Sequence, residues 1–311
     1  MKVVLHYAAS PGLRAQIAAL AGLQVAIVEE RDRDGFLREI AEARALWHVL
    51  ERVTPAMIEA APALQLIQKI GVGVDTIALD ACRARGIAVC NMPGTNTQAV
   101  AETTLALIFA ALRRIPILDA ATRAGRGWSL PPEFFDGIGE IGGRVVGLIG
   151  YGAIPRKLAP VLRALGAEII VWARTPPDDG TEAVPLDDLL ARADIVSLHV
   201  PATAQTTGLL DAARIGRMKR GAILVNTARG ALVDEAALAD ALRSGHLAAA
   251  GLDVFADEPV TAARPILSLP NVVATPHVAW VTDGTFARSL AVAAENCRRL
   301  GAGENLLHRI V

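Results

Sequence analysis

What most constrains this chain is a repeated alternation of short apolar runs with amphipathic stretches. Runs at 3–7, 24–28, 45–50 and 64–70 have strand length, and helix-like spacing fills 12–21, 35–43 and 55–60 between them. A strand covered on both faces reads as a continuous apolar run, the mark of a parallel sheet sandwiched by helices. The alternation therefore predicts an α/β fold of doubly wound, Rossmann-like parallel sheets. It breaks at 97–114, read as one long helix too apolar for a surface position, and at a loop over 125–143 that carries Gly, Pro and Trp. A second series begins at 144, with strands expected at 145–149, 168–172, 195–198, 222–226, 248–252 and 272–275. Helices are expected at 154–165, 186–191, 211–218 and 235–244, and a last long one at 282–300 is expected to return the chain to the first unit. The length of 311 residues suits two domains.

Composition narrows the function classes. Basic and acidic residues number 31 and 32, a net charge of −1, which argues against nucleic acid or an anionic membrane surface as a partner. Mean hydropathy is high at +0.38, yet Arg or Pro interrupts every apolar run before the roughly 20 residues of a membrane span. Residues 1–6 enter a strand-like run directly, without signal-peptide character. The three cysteines, Cys82, Cys90 and Cys297, lack metal-ligand spacing. Together these predict a reduced, cytoplasmic protein with no metal site and no structural disulfide.

The sharpest motif is Gly150-Tyr151-Gly152-Ala153-Ile154-Pro155, which follows an expected strand and opens an expected helix. This is nearly the GxGxxG dinucleotide fingerprint. The first glycine permits the tight turn, and the second lets the backbone approach a pyrophosphate seated on the helix N-terminus. Pro155 stands where the third glycine belongs, which is tolerated in a first helical turn. Gly150, Gly152, Ala153 and Ile154 are thus cofactor candidates. The fingerprint also expects an acid about twenty residues on, to hold the ribose 2′-hydroxyl. That position is Ala173, followed by Arg174 and Thr175, which offer a guanidinium and a hydroxyl. The expectation is NADP(H) as preferred cofactor, with NAD(H) possible.

Arg229, Glu258 and His277 each sit just beyond an expected strand end, where open α/β sheets place ligands. Hydride transfer to a 2-oxo acid needs these three types. The arginine orients the carboxylate and polarises the carbonyl, the histidine supplies a proton, and the carboxylate fixes the histidine's tautomer and favours its charged form.

With these segments, and with Gly71-Val72-Gly73-Val74-Asp75, Asn91-Met92-Pro93-Gly94-Thr95-Asn96, Val100-Ala101-Glu102 and Leu198-His199-Val200-Pro201, the chain resembles the D-isomer-specific 2-hydroxyacid dehydrogenases over nearly its whole length. The resemblance implies that Arg229, Glu258 and His277 are the catalytic set and that Val72 and Gly73 hold the substrate carboxylate. It implies that Asp253 meets the nicotinamide carboxamide and that Thr104 and Thr206 contact the cofactor. Trp280, next to His277, is a candidate for lining the substrate pocket. The implied architecture is a discontinuous substrate domain, 1–95 with 279–311, a nucleotide domain, 96–278, and a cleft between them. A homodimer packed through the nucleotide domain would account for the apolar 97–114. The expected activity is reversible reduction of a small 2-oxo acid, of glyoxylate or hydroxypyruvate type, to a D-2-hydroxy acid. A non-catalytic, redox-sensing corepressor and a phosphite dehydrogenase are the alternatives on the same fold.

Overall fold

The structure, a computed structural model, describes residues 1–311. The chain divides into two compact units, residues 1–96 with 281–311 and residues 97–280. The first unit opens with β1 (Lys2–His6), α1 (Pro11–Ala18), β2 (Gln24–Val28), α2 (Arg33–Ile40) and β3 (Ala45–His48). It continues with α3 (Pro55–Glu59), β4 (Leu66–Lys69), α4 (Leu79–Ala84) and β5 (Ala88–Cys90). All five strands are parallel, in the order β2-β1-β3-β4-β5. Helix starts are set by side-chain caps. Ser10 accepts from the Leu13 amide with Pro11 behind it, Asp32 from Gly35, and Thr54 from Met57 with Pro55 behind it.

The second unit holds α5 (Thr97–Leu112), α6 (Ile115–Arg123), β6 (Val145–Ile149), α7 (Ala153–Ala164), β7 (Glu168–Trp172), β8 (Glu182–Ala183) and α8 (Leu186–Arg192). It is completed by β9 (Ile195–Leu198), α9 (Ala212–Arg217), β10 (Ala222–Asn226), α10 (Glu235–Arg243), β11 (Leu247–Leu252) and β12 (Val272–Ala274). Its seven parallel strands run β12-β11-β10-β9-β6-β7-β8, so strand order reverses beside β6. The carboxyl ends of strands at such a reversal are where open α/β sheets bind ligands. The last helix, α11 (Asp283–Ala302), belongs to the first unit and is capped by Thr282.

Strands 24–28, 145–149, 168–172, 195–198 and 222–226 fall where the apolar runs put them. The long helix is shorter than expected. It stops at Leu112, because Arg114 takes a left-handed conformation (φ 51°) and α6 starts a new direction. Part of its apolar character is accounted for within the unit. Leu107, Ile108, Ala111 and Leu112 pack into the unit's own core with Val146, Leu148 and Val225. Gly251 in β11 makes that possible, since a Cβ there would lie 2.9 Å from the Leu107 Cβ.

In the first unit, α11 is fastened by buried polar bonds. The Asn296 amide donates to Gln68 Oε1 (2.6 Å) and to the Leu307 carbonyl (3.1 Å), and its own oxygen accepts from the Leu307 amide (2.7 Å). Gln68 and Asn296 are both fully enclosed, so each satisfies a group that water cannot reach.

His6, His48 and Lys69 stand in register at the carboxyl ends of β1, β3 and β4. The His48 ring is buried and bonds through Nε2 to the Glu51 carbonyl, so Nε2 carries the proton and Nδ1 is left without a partner. Burial, with the Lys69 charge behind it, pushes His48 down to about 3. A histidine depressed in the folded state contributes stability that is complete above its unfolded value and is lost as pH falls below it. Urea unfolding should show the parent losing about 2 kcal/mol more than His48→Leu between pH 7 and pH 5. Equal losses in the two proteins would mean that this ring does not control the acid response.

Candidate active site

Three loops at the carboxyl ends of β10, β11 and β12 carry the predicted chemical residues. After β10, the buried Asn226 bonds the Arg229 carbonyl (2.8 Å) and the Ala228 amide (3.0 Å), which shapes the turn that presents Arg229. Gly230 follows because nothing else fits: a Cβ there would lie 1.9 Å from the Phe255 carbonyl carbon and oxygen. The backbone after Arg229 is therefore pressed onto the backbone leading to Glu258. The second loop is held from outside by Arg264, which pairs with Glu235 (3.0 Å) and Asp257 (2.9 Å).

His277 Nδ1 lies 2.6 Å from Glu258 Oε2, while Glu258 Oε1 accepts from the Phe255 amide (2.9 Å). Burial alone would raise the Glu258 carboxyl. The hydrogen bond and charge of His277, the Phe255 amide and the Arg229 charge outweigh it and hold this carboxyl below its ordinary value. The glutamate is thus ionised beside the imidazole. Nδ1 is committed to it, and Nε2 is the ring nitrogen left for a substrate.

The His277 backbone is in the left-handed region (φ 55°), uncommon for a residue with a side chain. A buried carboxylate holds it there. Asp253 is fully enclosed, and its oxygens accept from Thr275 Oγ1 (2.6 Å), the Val278 amide (2.9 Å) and the Ala279 amide (2.9 Å). The Asp253 carbonyl also accepts from the His277 amide (2.8 Å). Burial raises the Asp253 carboxyl against the lowering effect of these bonds. Trp280 is buried and its indole donates to the His277 carbonyl (3.1 Å), so the structure shows it as a prop of this loop.

The β6–α7 turn fits a dinucleotide. Gly150 has φ +97° and a Cβ there would lie 2.6 Å from the His199 carbonyl, whereas a Cβ on Gly152 would meet nothing within 4 Å. In the first turn of α7 the backbone N–H groups of Ala153 and Ile154 have no intrahelical partner and are open to a pyrophosphate, while Pro155 carries no N–H. Pro155 is buried against the unit's interior and does not break the helix. Ala173, Arg174 and Thr175 follow the end of β7, with Arg174 and Thr175 exposed.

Other predicted residues are placed less directly. Thr104 is buried, with its hydroxyl on the Val100 carbonyl (2.7 Å) and Thr227 Oγ1 (2.9 Å). Thr206 closes its own loop by donating to the Pro201 carbonyl (2.6 Å). In the other unit, Val72 is half-exposed after Gly71 (φ +136°), and its carbonyl accepts from Asn91 (2.9 Å); Gly73 follows it. What sequence reasoning missed was Asn226, Gly230 and the structural use of Asp253. Gly230, directly after Arg229, was the legible signal among them.

A family model for the NAD binding domain of D-isomer specific 2-hydroxyacid dehydrogenases matches residues 105–279. The chain belongs to the D-isomer specific 2-hydroxyacid dehydrogenase family. It is 43% identical over 296 residues to the D-3-phosphoglycerate dehydrogenase of Mycobacterium tuberculosis H37Rv, an alignment covering 93% of this chain and 55% of that protein. The chain therefore spans about half the length of its mycobacterial relative. It is 39% identical over 288 residues to the glyoxylate reductase of Aeropyrum pernix, covering 88% of this chain and 86% of that one. A crystal structure of a protein from Thermus thermophilus superposes with a TM-score of 0.91 at 37% identity, over the whole of both chains.

Asp253→Ala should let the His277 loop relax and lower kcat about 10²-fold, the scale of a misplacement near 1 Å, with cofactor KM nearly unchanged. A rise in cofactor KM with kcat maintained would instead mark Asp253 as a direct cofactor contact.

Proposed function

We propose that this chain reduces a small 2-oxo acid, of glyoxylate or hydroxypyruvate type, to the D-2-hydroxy acid, with NADPH preferred over NADH. The observation that carries the reading is the Glu258–His277 bond of 2.6 Å, beside an Arg229 loop pressed into place at Gly230. When bound at the Gly150–Ile154 turn, the nicotinamide cofactor supplies the hydride. Arg229 orients the substrate carboxylate and polarises the carbonyl, and His277 delivers a proton from Nε2 to the oxygen. Glu258 holds Nδ1, which fixes the orientation of the ring and leaves Nε2 toward the substrate. The cofactor preference is supported by Ala173, which leaves no carboxylate to repel a 2′-phosphate, and by the exposed Arg174 beside it.

A panel of 2-oxo acids with both cofactors should give the highest kcat/KM with a small acid and NADPH; equal or better values with NADH would overturn the cofactor half. Arg229→Ala should lower kcat and raise substrate KM together. The carboxylate 2.6 Å from Nδ1 carries a negative charge that a carboxamide lacks. Glu258→Gln should therefore move the alkaline limb of the reductive pH profile to lower pH, with activity reduced but present. A variant profile that overlays the parent would reduce Glu258 to a turn residue.

We also propose a homodimer formed through residues 113–144. Ile115, Trp128 and Phe135 are exposed there, and a groove of about 760 Å³ is lined by Phe109, Arg113, Ile115, Leu118, Phe135 and Ile138. The segment carries five basic and four acidic residues, so a second copy meets complementary charge around the apolar centre. Light scattering should give twice the chain mass for the parent and a monomer for Phe135→Glu. A monomeric parent would end the proposal.

A further inference from the structure

The loop after β7 holds a cluster outside the catalytic set. Tyr151, the residue between the two fingerprint glycines, donates to Asp179 Oδ2 (2.6 Å). Thr181, which is buried, gives both its hydroxyl (2.6 Å) and its amide (3.1 Å) to Asp179 Oδ1. Both oxygens of Asp179 are thus occupied, and these bonds hold its carboxyl well below the usual range. Arg163, two turns along α7 from Arg156, bonds the same Thr181 hydroxyl and completes the anchor.

That anchor delivers the neighbouring Asp178 to Arg156. The Arg156 guanidinium lies 2.5 Å from Asp178 and 5.0 Å from the centre of the Tyr151 ring. Helical side chains lean toward the helix N-terminus, so Arg156, in the second turn of α7, reaches back over the glycine loop. It therefore stands between that loop and the segment following β7, the gap in which the fingerprint places the adenosine ribose. No acid arises at Ala173, Asp179 is engaged, and Asp178 is partnered by a cation.

We propose that Arg156 is a specificity-determining residue for the cofactor, exchanging Asp178 for the 2′-phosphate of NADP(H). The proposal rests on the NADPH preference above and adds a second cation to Arg174. The exchange is cheap because the pair is exposed, with Asp178 80% and Arg156 42% accessible, and such pairs hold little free energy. A phosphate dianion offers the guanidinium a fork of oxygens and more charge than one carboxylate. With NAD(H), Arg156 stays on Asp178. Asp178 then acts as an internal competitor that tempers the preference for the phosphorylated cofactor.

The test is calorimetric and needs no turnover: adenosine 2′,5′-bisphosphate and AMP, which differ only in the 2′-phosphate, are titrated into the full chain. The parent should bind the bisphosphate more tightly. Arg156→Ala should lose about tenfold of that margin and leave AMP affinity unchanged, Arg156→Lys should keep part of it, and Asp178→Asn should widen it. An unchanged margin in Arg156→Ala, with the margin lost only in Arg174→Ala, would overturn this proposal and leave the NADPH preference standing. A parent that does not distinguish the two ligands would overturn both. Loss of AMP affinity in Arg156→Ala would show a general anchor for the nucleotide and would also overturn it.

Discussion

A single buried carboxylate organises the chemistry of the larger unit. Asp253 directly follows β11 and has no access to water, where an unpaired charge would be strongly unfavourable. Three donors from the segment after β12 surround its two oxygens, so that segment has one low-energy path. The path puts His277 in a left-handed conformation and its ring against Glu258. The ring proposed as proton donor is thus positioned at one remove, through the turn that the carboxylate folds. This follows the general pattern of strained backbone persisting where the surroundings over-determine it.

Absent side chains do the complementary work. Gly150 lets the dinucleotide turn close against the His199 carbonyl, Gly230 lets the Arg229 and Glu258 loops touch, and Gly251 lets α5 settle on the sheet. At each place a methyl group would collide with a neighbour at under 3 Å. The site is assembled from loops on rigid strand ends, and its precision comes from backbones packed closer than any side chain permits.

Much of this was legible in the sequence. Parallel strands buried on both faces betray themselves as apolar runs, which is why β2, β6, β7, β9 and β10 were found at their bounds. The three-residue β5 and two-residue β8 are too short for such a signal, and α4 and α6 lacked a clear period. The long apolar segment at 97–114 was legible as buried but not as buried by what. Periodicity reports that a face is covered and says nothing of whether the cover comes from the same chain. Among site residues, Arg229, Glu258 and His277 could be read from their place after strand ends. The engagement of Asp253 could not, because it depends on amides at 278 and 279 that come close only through the turn itself.

The Gln68–Asn296 bond has a meaning for how the chain is made. Its partners are 228 positions apart, and the whole second unit is encoded between them. At bacterial or eukaryotic synthesis rates of roughly 5–20 residues per second, Gln68 waits on the order of 10–50 s on the ribosome before Asn296 exists. During that interval the face of β4 that α11 will cover is open, and the later unit receives its last residue, Trp280, before Asn296 is added. The order of completion is thus the reverse of the order of the sequence: the fold that starts first closes last, and its nascent sheet is the stretch with most reason to need a chaperone.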